Sequence, residues 1–209
     1  MATKNPPRRK RRVRDTPPPP CNLLLQVQQK VAGHDPDPEP LAGQDAVAFK
    51  IVTLGVYGST EAGFFAALRA AEADTFCDVR RRRGVRGSAY AFANRRRLQA
   101  RLTELGIRYL HCQDLAPSQA LHELQYAADR ETRTAKRQRA TLSEEFVSRY
   151  REEHLSAFDS REFIRQLGPE ARVVALFCVE RAAAACHRSL LAERLQRDLG
   201  VEVVHLMPA

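Results

Sequence analysis

From residue 48 onward, short apolar segments alternate with longer amphipathic ones, and this alternation constrains the fold most strongly. FKIVTLG, TFCDVR, IRYLHC, ARVVALFC and VEVVHL are predicted strands, because β-branched and other apolar residues dominate them. Predicted helices of about 10 to 15 residues separate most of these strands. ARVVALFC is apolar along nearly its whole length, which is typical of a strand buried on both faces. The sequence therefore predicts a three-layer α/β fold, with a mainly parallel sheet of about five strands and helices on both faces.

Residues 118–167, which we call the insertion, interrupt this alternation between the third and fourth predicted strands. The pattern of this stretch is that of two or three helices, and many of its residues are charged. We therefore expect a helical insertion that packs over one end of the sheet and does not extend the core. Thr141 and Glu144 fit a capping box, and Ser59 is the expected N-cap of the first helix.

Residues 1–46 have the composition of a disordered tail. NPPRRKRRVRDTPPPP and GHDPDPEPLAGQD combine proline and charge with few large apolar side chains, which cannot offset the entropy lost on ordering. Residues 47–209 then form a single α/β domain, long enough to bury its own core. The chain has no apolar run long enough for a transmembrane helix and no secretory signal, so we expect a cytoplasmic protein without membrane contact.

Cysteines occur at positions 21, 77, 112, 178 and 186, without a CxxC pair. A cytoplasmic location would keep these thiols reduced, and their spacing does not indicate a zinc site. We therefore expect no metal ion. The sequence identifies no cofactor and does not predict an oligomeric state.

Polar and reactive side chains follow several predicted strands at their carboxyl ends, where open α/β sheets bind ligands. The second strand leads into Asp78-Val79-Arg80, and the fourth leads into a corner where a helix begins near Cys186. A helix N-terminus attracts anions and lowers the pKa of a nearby thiol. The candidate catalytic residues are Cys178, Glu180, Cys186 and His187, and the candidate anion-binding residues are Asp78, Arg80, Arg86 and Arg188.

Each candidate also has a structural interpretation. A cysteine at the end of a strand is often a small buried hydrophobe, and His187 with Arg188 could cap the helix. Asp78 and Arg80 could form a buried pair that fixes the following loop. The isolated histidines of the insertion, His122 and His154, are expected to be structural or exposed.

Four segments together resemble the DUF488 family, a domain of unknown function: TLGVYGSTEAGFFAAL, DVRRRRGVRGSAYAF, RLQARLTELGIRYLH and VVALFCVERAAAACHRSLLAERL. The resemblance extends over about residues 49–206. It implies a compact three-layer α/β domain with a site at the rim of the sheet, and it implies no particular reaction. The characteristic positions of the family fall on Gly55, Asp78, Arg80, Cys178, Glu180, Cys186, His187 and Arg188.

The chain departs from the family pattern in two places. Family members often have a Tyr-Glu-Gly turn after the first strand, where this chain has Val56-Tyr57-Gly58. They also often have a proline soon after Asp-Val-Arg, where this chain has a run of arginines and Gly84. The loop after the second strand is therefore expected to be longer and more basic than is usual in the family.

Two functions are argued from particular residues, and a non-catalytic adaptor on the same fold is a third possibility. The first is a thiol-dependent enzyme that acts on an anionic small molecule or a nucleotide at the rim of the sheet. The alternative is binding or processing of nucleic acid by the arginine cluster between Arg80 and Arg101, which contains no acidic residue and contributes to the net charge of +9. Tyr90 and Phe92 lie within that cluster, and aromatic side chains can stack on bases.

Overall fold

The structure is a computed structural model that describes residues 49–208, so the tail predicted for residues 1–46 lies outside the described residues. The described part of the chain forms one five-stranded sheet in the order β3-β2-β4-β1-β5, and every neighbouring pair of strands is parallel. This confirms the predicted parallel sheet. The strands are β1 (Lys50–Leu54), β2 (Thr75–Asp78), β3 (Arg108–His111), β4 (Val173–Phe177) and β5 (Glu202–His205).

Six α-helices connect these strands within the described residues: α1 (Glu61–Ala70), α2 (Arg95–Glu104), α3 (Gln119–Glu131), α4 (Glu144–Tyr150), α5 (Ser160–Leu167) and α6 (His187–Leu199). Short 3₁₀ segments occur at Ser88–Ala93, Gln113–Leu115, Lys136–Gln138 and Ala183–Ala185, and a π-helical turn at Arg151–Leu155 follows α4. Among the described helices, none has the length and apolar character needed to cross a membrane.

Two apolar clusters cover the two faces of the sheet, as the alternation of side chains along a strand requires. Ala175 and Phe177 of β4 pack with α1 and α2 on one face. Val174 and Leu176 pack with α3 to α6 on the other face. The three-layer α/β architecture is therefore confirmed.

The insertion is helical as predicted, but the expectation that it would not extend the core is wrong. Leu121, Phe146 and Phe163 come from α3, α4 and α5, and all three are buried in the same cluster as Val174 of β4. The charged residues that dominate its composition lie largely on exposed positions, while a minority of apolar residues faces the sheet. The insertion thus forms part of the layer that borders the site.

Two helix caps differ from the sequence predictions. Thr60, and not Ser59, caps α1, because its hydroxyl accepts a hydrogen bond from the Gly63 amide at 3.0 Å. Ser143 caps α4 by accepting from the Phe146 amide at 3.3 Å, so the capping box predicted from Thr141 does not form. Serine and threonine are similarly good caps, and the tertiary position of the helix selects between neighbours.

Candidate functional site

The carboxyl end of β4 and the start of α6 bring two thiols and an imidazole together. Cys178 directly follows β4, Cys186 is the N-cap residue of α6, and His187 is the first residue of that helix. The three residues are 7%, 2% and 4% exposed, respectively. The two Sγ atoms and a ring nitrogen all lie within 4.8 Å of one another. We call these three residues the cysteine cluster.

The orientation of the His187 ring is fixed by the main chain. Its Nε2 lies 3.0 Å from the carbonyl oxygen of Val79, the residue after β2, and its Nδ1 lies 3.7 Å from Sγ of Cys186. A carbonyl oxygen only accepts hydrogen bonds, so Nε2 must carry a proton. Nδ1 therefore faces Cys186 and is free to share a proton with that thiol.

The surroundings of the two thiols give them opposite pKa shifts. Burial by itself would raise the pKa of Cys186, but the hydrogen bond with Cys178 and the charges of His187 and Arg188 lower it well below its ordinary value. The same contact with Cys186, followed by burial, raises the pKa of Cys178 well above its ordinary value. The thiolate is the reactive form of cysteine, so Cys186 has the character of a nucleophile and Cys178 that of a donor to it.

A small cavity lies over the cysteine cluster. Its volume of about 40 Å³ provides room for a few water molecules. One wall comes from the end of β4 and the start of α6, with Cys178, Glu180, Cys186 and His187. The other wall comes from the insertion, with His122, Gln125, Lys136 and Arg139 among its lining residues.

Glu180 is the carboxylate that lines this cavity. Its Oε1 lies 3.6 Å from Nζ of Lys136 and 3.7 Å from Nη1 of Arg139. Burial, followed by the negative charge of Cys186, raises the pKa of Glu180 to about 7, although Lys136, Arg139 and Arg188 act in the opposite direction. A carboxyl group with this pKa can both donate and accept a proton near neutral pH.

Arg139 is held at the cavity by a buried hydrogen-bond network. Its Nε donates to the Asp129 carboxylate at 2.9 Å, and its Nη2 bonds to the same carboxylate. Gln125 donates to Asp129 at 2.9 Å and accepts a hydrogen bond from the Ser143 amide at 2.9 Å. This network connects the turn that carries Arg139 to α3 and to the start of α4, and it leaves Nη1 facing Glu180.

Arg188 lies at the start of α6, and its guanidinium contacts the main chain. Its side chain is buried, with Nη1 donating to the carbonyl oxygen of Glu180 at 2.7 Å and Nη2 donating to that of Arg181 at 3.0 Å. Gly55 allows this arrangement, because a Cβ atom there would lie 1.7 Å from the Glu180 carbonyl oxygen. Arg188 thus positions the main chain that carries Glu180, and its predicted anion-binding role stays a prediction.

Asp78 and Arg80 form the buried pair that was the structural alternative. Arg80 donates to the two carboxylate oxygens of Asp78 at 2.8 and 2.7 Å and to the carbonyl oxygen of Ala93 at 3.0 Å. Its guanidinium also lies 4.5 Å from the centre of the Phe177 ring, on the face covered by α1 and α2. The cysteine cluster is on the opposite face, so this pair does not contribute side chains to the cavity. Arg86 is exposed and is likewise not a lining residue.

The two aromatic residues of the arginine cluster are not both available to stack on nucleic-acid bases. Phe92 is buried in the apolar cluster under α1, so it cannot stack on a base. Tyr90 packs against Tyr57 with ring centres 5.4 Å apart, and the Arg137 guanidinium lies over both rings. Nucleic-acid binding by the exposed arginines stays a prediction. Stacking of bases on Phe92 is not part of it.

The histidines of the insertion have unlike roles. His122 lines the cavity, where burial and then the charge of His187 lower its pKa to about 4 and keep it neutral. His154 is partly buried, and its Nδ1 lies 3.0 Å from the carbonyl oxygen of Asp114. His122 thus borders the cavity as a neutral ring that stacks on Tyr126, and His154 has a structural contact.

The cysteine cluster has the donor atoms of a soft-metal site, which the spacing of the cysteines along the chain did not suggest. Two thiolates and one imidazole are ligands that zinc binds. However, Lys136 and Arg139 line the same cavity, and Arg188 is buried nearby. These positive charges oppose a divalent cation and favour a thiolate or another anion in its place.

The residues predicted for the site did not include Lys136, Arg139, His122 or the Val79 carbonyl. The first three lie in a charged insertion without a motif, where only three-dimensional packing distinguishes inward-facing residues from outward-facing ones. The Val79 carbonyl has no side-chain signature. Its position after the Asp78-containing strand was the only available signal, because strand ends meet at one rim.

The chain matches the family that its sequence resembles. The family described as "Domain of unknown function DUF488" matches residues 61–195, which is more than half of the 209 residues and includes the cysteine cluster. Searches of the curated proteins and of the solved structures returned no match. The predicted resemblance is confirmed, and the chain belongs to the DUF488 family, whose function is unknown.

Proposed function

We propose that this protein is a cysteine-dependent enzyme that acts on a small anionic group, with Cys186 as the nucleophile. The observation that carries this proposal is the contact of Cys186 with a His187 ring whose other nitrogen is held by the Val79 carbonyl. A nucleophile, a base and a group that orients the base are the three elements of an activated thiol. Here the orienting group is a main-chain oxygen.

The charges around the cavity support an anionic substrate. Lys136 and Arg139 line the cavity, and Cys186 lies at the N-terminal end of α6, where the helix dipole is positive. Among the described residues that line the cavity, Glu180 is the only one with a carboxylate, and its pKa of about 7 leaves it partly protonated at neutral pH. The positive charges at the cavity therefore exceed the negative charge that Glu180 supplies.

The same groups are sufficient for a transfer reaction in two steps. The Cys186 thiolate attacks the electrophilic atom of the substrate, and the bond to the leaving group breaks as the new bond to sulfur forms. Protonated Glu180 gives its proton to the leaving group. Water then displaces Cys186 from the adduct and transfers a proton to Glu180, which restores both groups. Nδ1 of His187, 3.7 Å from Sγ of Cys186, holds the proton that the thiol gives up and so stabilises the thiolate.

The cavity volume narrows the class of substrate. A cavity of about 40 Å³ accommodates a small oxyanion, or the anionic end of a larger molecule that reaches in from solvent. It does not accommodate a whole nucleotide. The proposal is therefore narrower than the anionic small molecule or nucleotide that the sequence predicted.

A comparison of two alkylating reagents tests the proposal. Iodoacetamide is neutral and iodoacetate is an anion, and both form a bond to sulfur as iodide leaves. We expect the ratio of the iodoacetate rate to the iodoacetamide rate at Cys186 to exceed the ratio for free cysteine by about fivefold, equivalent to about 1 kcal/mol. Inorganic phosphate should slow both reactions. The proposal fails if Cys186 reacts no faster than the buried Cys77.

A matched pair of variants locates the source of the preference. Lys136→Gln removes a cation that lines the cavity, whereas Arg137→Gln removes one from the adjacent exposed position outside it. Only the first change should lower the iodoacetate preference. Equal effects of the two changes would mean that net charge, and not a binding site, attracts the anion.

A further inference from the structure

We propose that Cys178 and Cys186 are a modification site at which a peroxide converts the two thiols into a reversible disulfide. The inference rests on the proposed function, because it uses Cys186 as the nucleophile. It adds a regulatory state in which that nucleophile is unavailable. The observation behind it is that the two Sγ atoms lie within 4.8 Å of each other and line the same cavity.

The environments of the two thiols assign them different parts in the reaction. Sγ of Cys186 is next to Nδ1 of His187, at the positive end of α6. Cys178 is next to Cys186 but has no ring nitrogen as its hydrogen-bond partner among the described residues. A thiolate beside a protonated thiol is the arrangement in which the first sulfur is oxidised and the second resolves it. The opposite pKa shifts of the two thiols agree with this order.

The chemistry balances with a peroxide as the oxidant. The Cys186 thiolate attacks one peroxide oxygen, the O–O bond breaks, and the products are a sulfenic acid on Cys186 and an alcohol or water after protonation. The Cys178 thiol then attacks the sulfenic sulfur, the S–O bond breaks, and water leaves as the disulfide forms. A dithiol reductant returns both residues to thiols by exchange.

The positions of the two cysteines suit a local rearrangement. Cys178 follows the last residue of β4, and Cys186 precedes the first residue of α6 in an extended conformation, with φ −144° and ψ 139°. Neither residue is inside a helix or a strand, so closing the sulfur–sulfur distance to about 2.05 Å does not require breaking the hydrogen bonds of a helix interior.

The protein contains its own control pair. Cys77 and Cys112 also interact, and the contact with Cys77, followed by burial, raises the pKa of Cys112 well above its ordinary value. Both thiols are buried, and neither lines the cavity. Among the described residues, neither thiol of this pair has a hydrogen bond to an imidazole, so the pair should stay reduced under conditions that oxidise Cys178 and Cys186.

Peptide mass spectrometry on the full-length reduced protein tests the inference. The protein is treated with hydrogen peroxide in small molar excess, the remaining thiols are blocked with iodoacetamide, and the chain is digested with trypsin without reduction. Arg181 lies between the two cysteines, so the disulfide joins peptide 173–181 to peptide 182–188. We expect this linked pair of peptides to form and to disappear on treatment with dithiothreitol, while Cys77 and Cys112 remain as thiols.

Variants distinguish failure of the inference from failure of the proposed function. Cys178→Ser should give a sulfenic acid on Cys186 that dimedone traps, whereas Cys77→Ser should leave formation of the linked peptides unchanged. If wild-type Cys186 alkylates rapidly but no linked peptide forms, the inference is wrong and the nucleophile stands. If Cys186 neither alkylates nor oxidises, both are wrong. Linkage of Cys77 to Cys112 at an equal rate would also overturn the inference, since oxidation would then not be selective.

Discussion

The Arg188 guanidinium donates a hydrogen bond to the main-chain carbonyl oxygen of Glu180 at 2.7 Å. A second donation, to the carbonyl oxygen of Arg181, fixes the next residue as well. The side chain that the sequence suggested as an anion ligand therefore holds the main chain that carries the cavity carboxylate. Its charge still contributes to the site, because it lowers the pKa of Cys186 together with His187.

Replacing Arg188 should destabilise the fold and disturb the cavity. Arg188→Ala removes two hydrogen bonds from a charged donor and leaves two carbonyl oxygens unpaired, so we expect a loss of about 3 kcal/mol in the free energy of unfolding. Urea denaturation measures this loss. Arg181→Ala is the control, because that side chain is exposed and its carbonyl is retained, and it should change stability by less than about 0.5 kcal/mol.

Gly55 should not tolerate even a methyl group. The Cβ of Gly55→Ala would lie 1.7 Å from the Glu180 carbonyl oxygen, which belongs to the rigid main chain, so the predicted cost is about 3 kcal/mol or more. Gly84→Ala provides a matched control, because the nearest atom to its Cβ is 3.9 Å away. Thermal unfolding of the two variants compares them directly. Similar melting temperatures would show that the Glu180 main chain can move away.

Breaking the Asp78–Arg80 pair should lower the free energy of unfolding. Asp78→Ala leaves the Arg80 guanidinium buried without its carboxylate, and removal of one partner of a buried pair costs about 3 to 5 kcal/mol. Arg86→Ala, at an exposed position in the same loop, should cost less than about 0.5 kcal/mol. Chemical denaturation tests both. A stable Asp78→Ala protein with weakened phosphate binding would instead restore the anion-binding role predicted from the sequence.

The ionisation of Glu180 should make stability depend on pH. The pKa of about 7 in the folded protein lies above the ordinary glutamate value of about 4.3, so the folded state binds this proton more tightly than the unfolded state does. Protonation of Glu180 therefore adds to the free energy of unfolding below pH 4. This contribution is lost as the pH rises to about 7, a change of about 3 kcal/mol. Glu180→Gln removes this dependence. Unfolding of both proteins between pH 4 and 8 measures it, and parallel stability curves would contradict the assignment.

The sequence predicted the order of elements because each element has a local signature. The apolar run of β4 requires burial on both faces, and the alternation of strands with helices restricts the connections to a parallel sheet. Such signatures predict the elements correctly, because they reflect the surroundings that each segment needs in the folded protein.

Local signatures could not predict on which face of the sheet each side chain of the rim lies. Asp78 is paired in register with Phe177, which faces α1 and α2, whereas Cys178 is one residue further along and faces α6. Strand ends can be assigned to a common rim from sequence, but a shift of one residue changes the face of a side chain. The sequence also did not indicate which cations line the cavity, because Lys136 and Arg139 are separated from Cys186 by most of the insertion.

The central claim is that Cys186 is an activated thiol, and its alkylation rate as a function of pH tests this most directly. Peptide-resolved mass spectrometry with iodoacetamide gives the rate at each cysteine of the intact protein. The ionisable groups around Cys186 are Cys178, His187, Arg188, Glu180, Lys136, Arg139, His122 and Tyr150. We predict a half-maximal rate at a pH clearly below about 8.5, the ordinary thiol value, and a shift to higher pH in His187→Gln. A Cys186 rate that rises only above about pH 8.5, or that matches the slow rate of Cys77, would contradict the account.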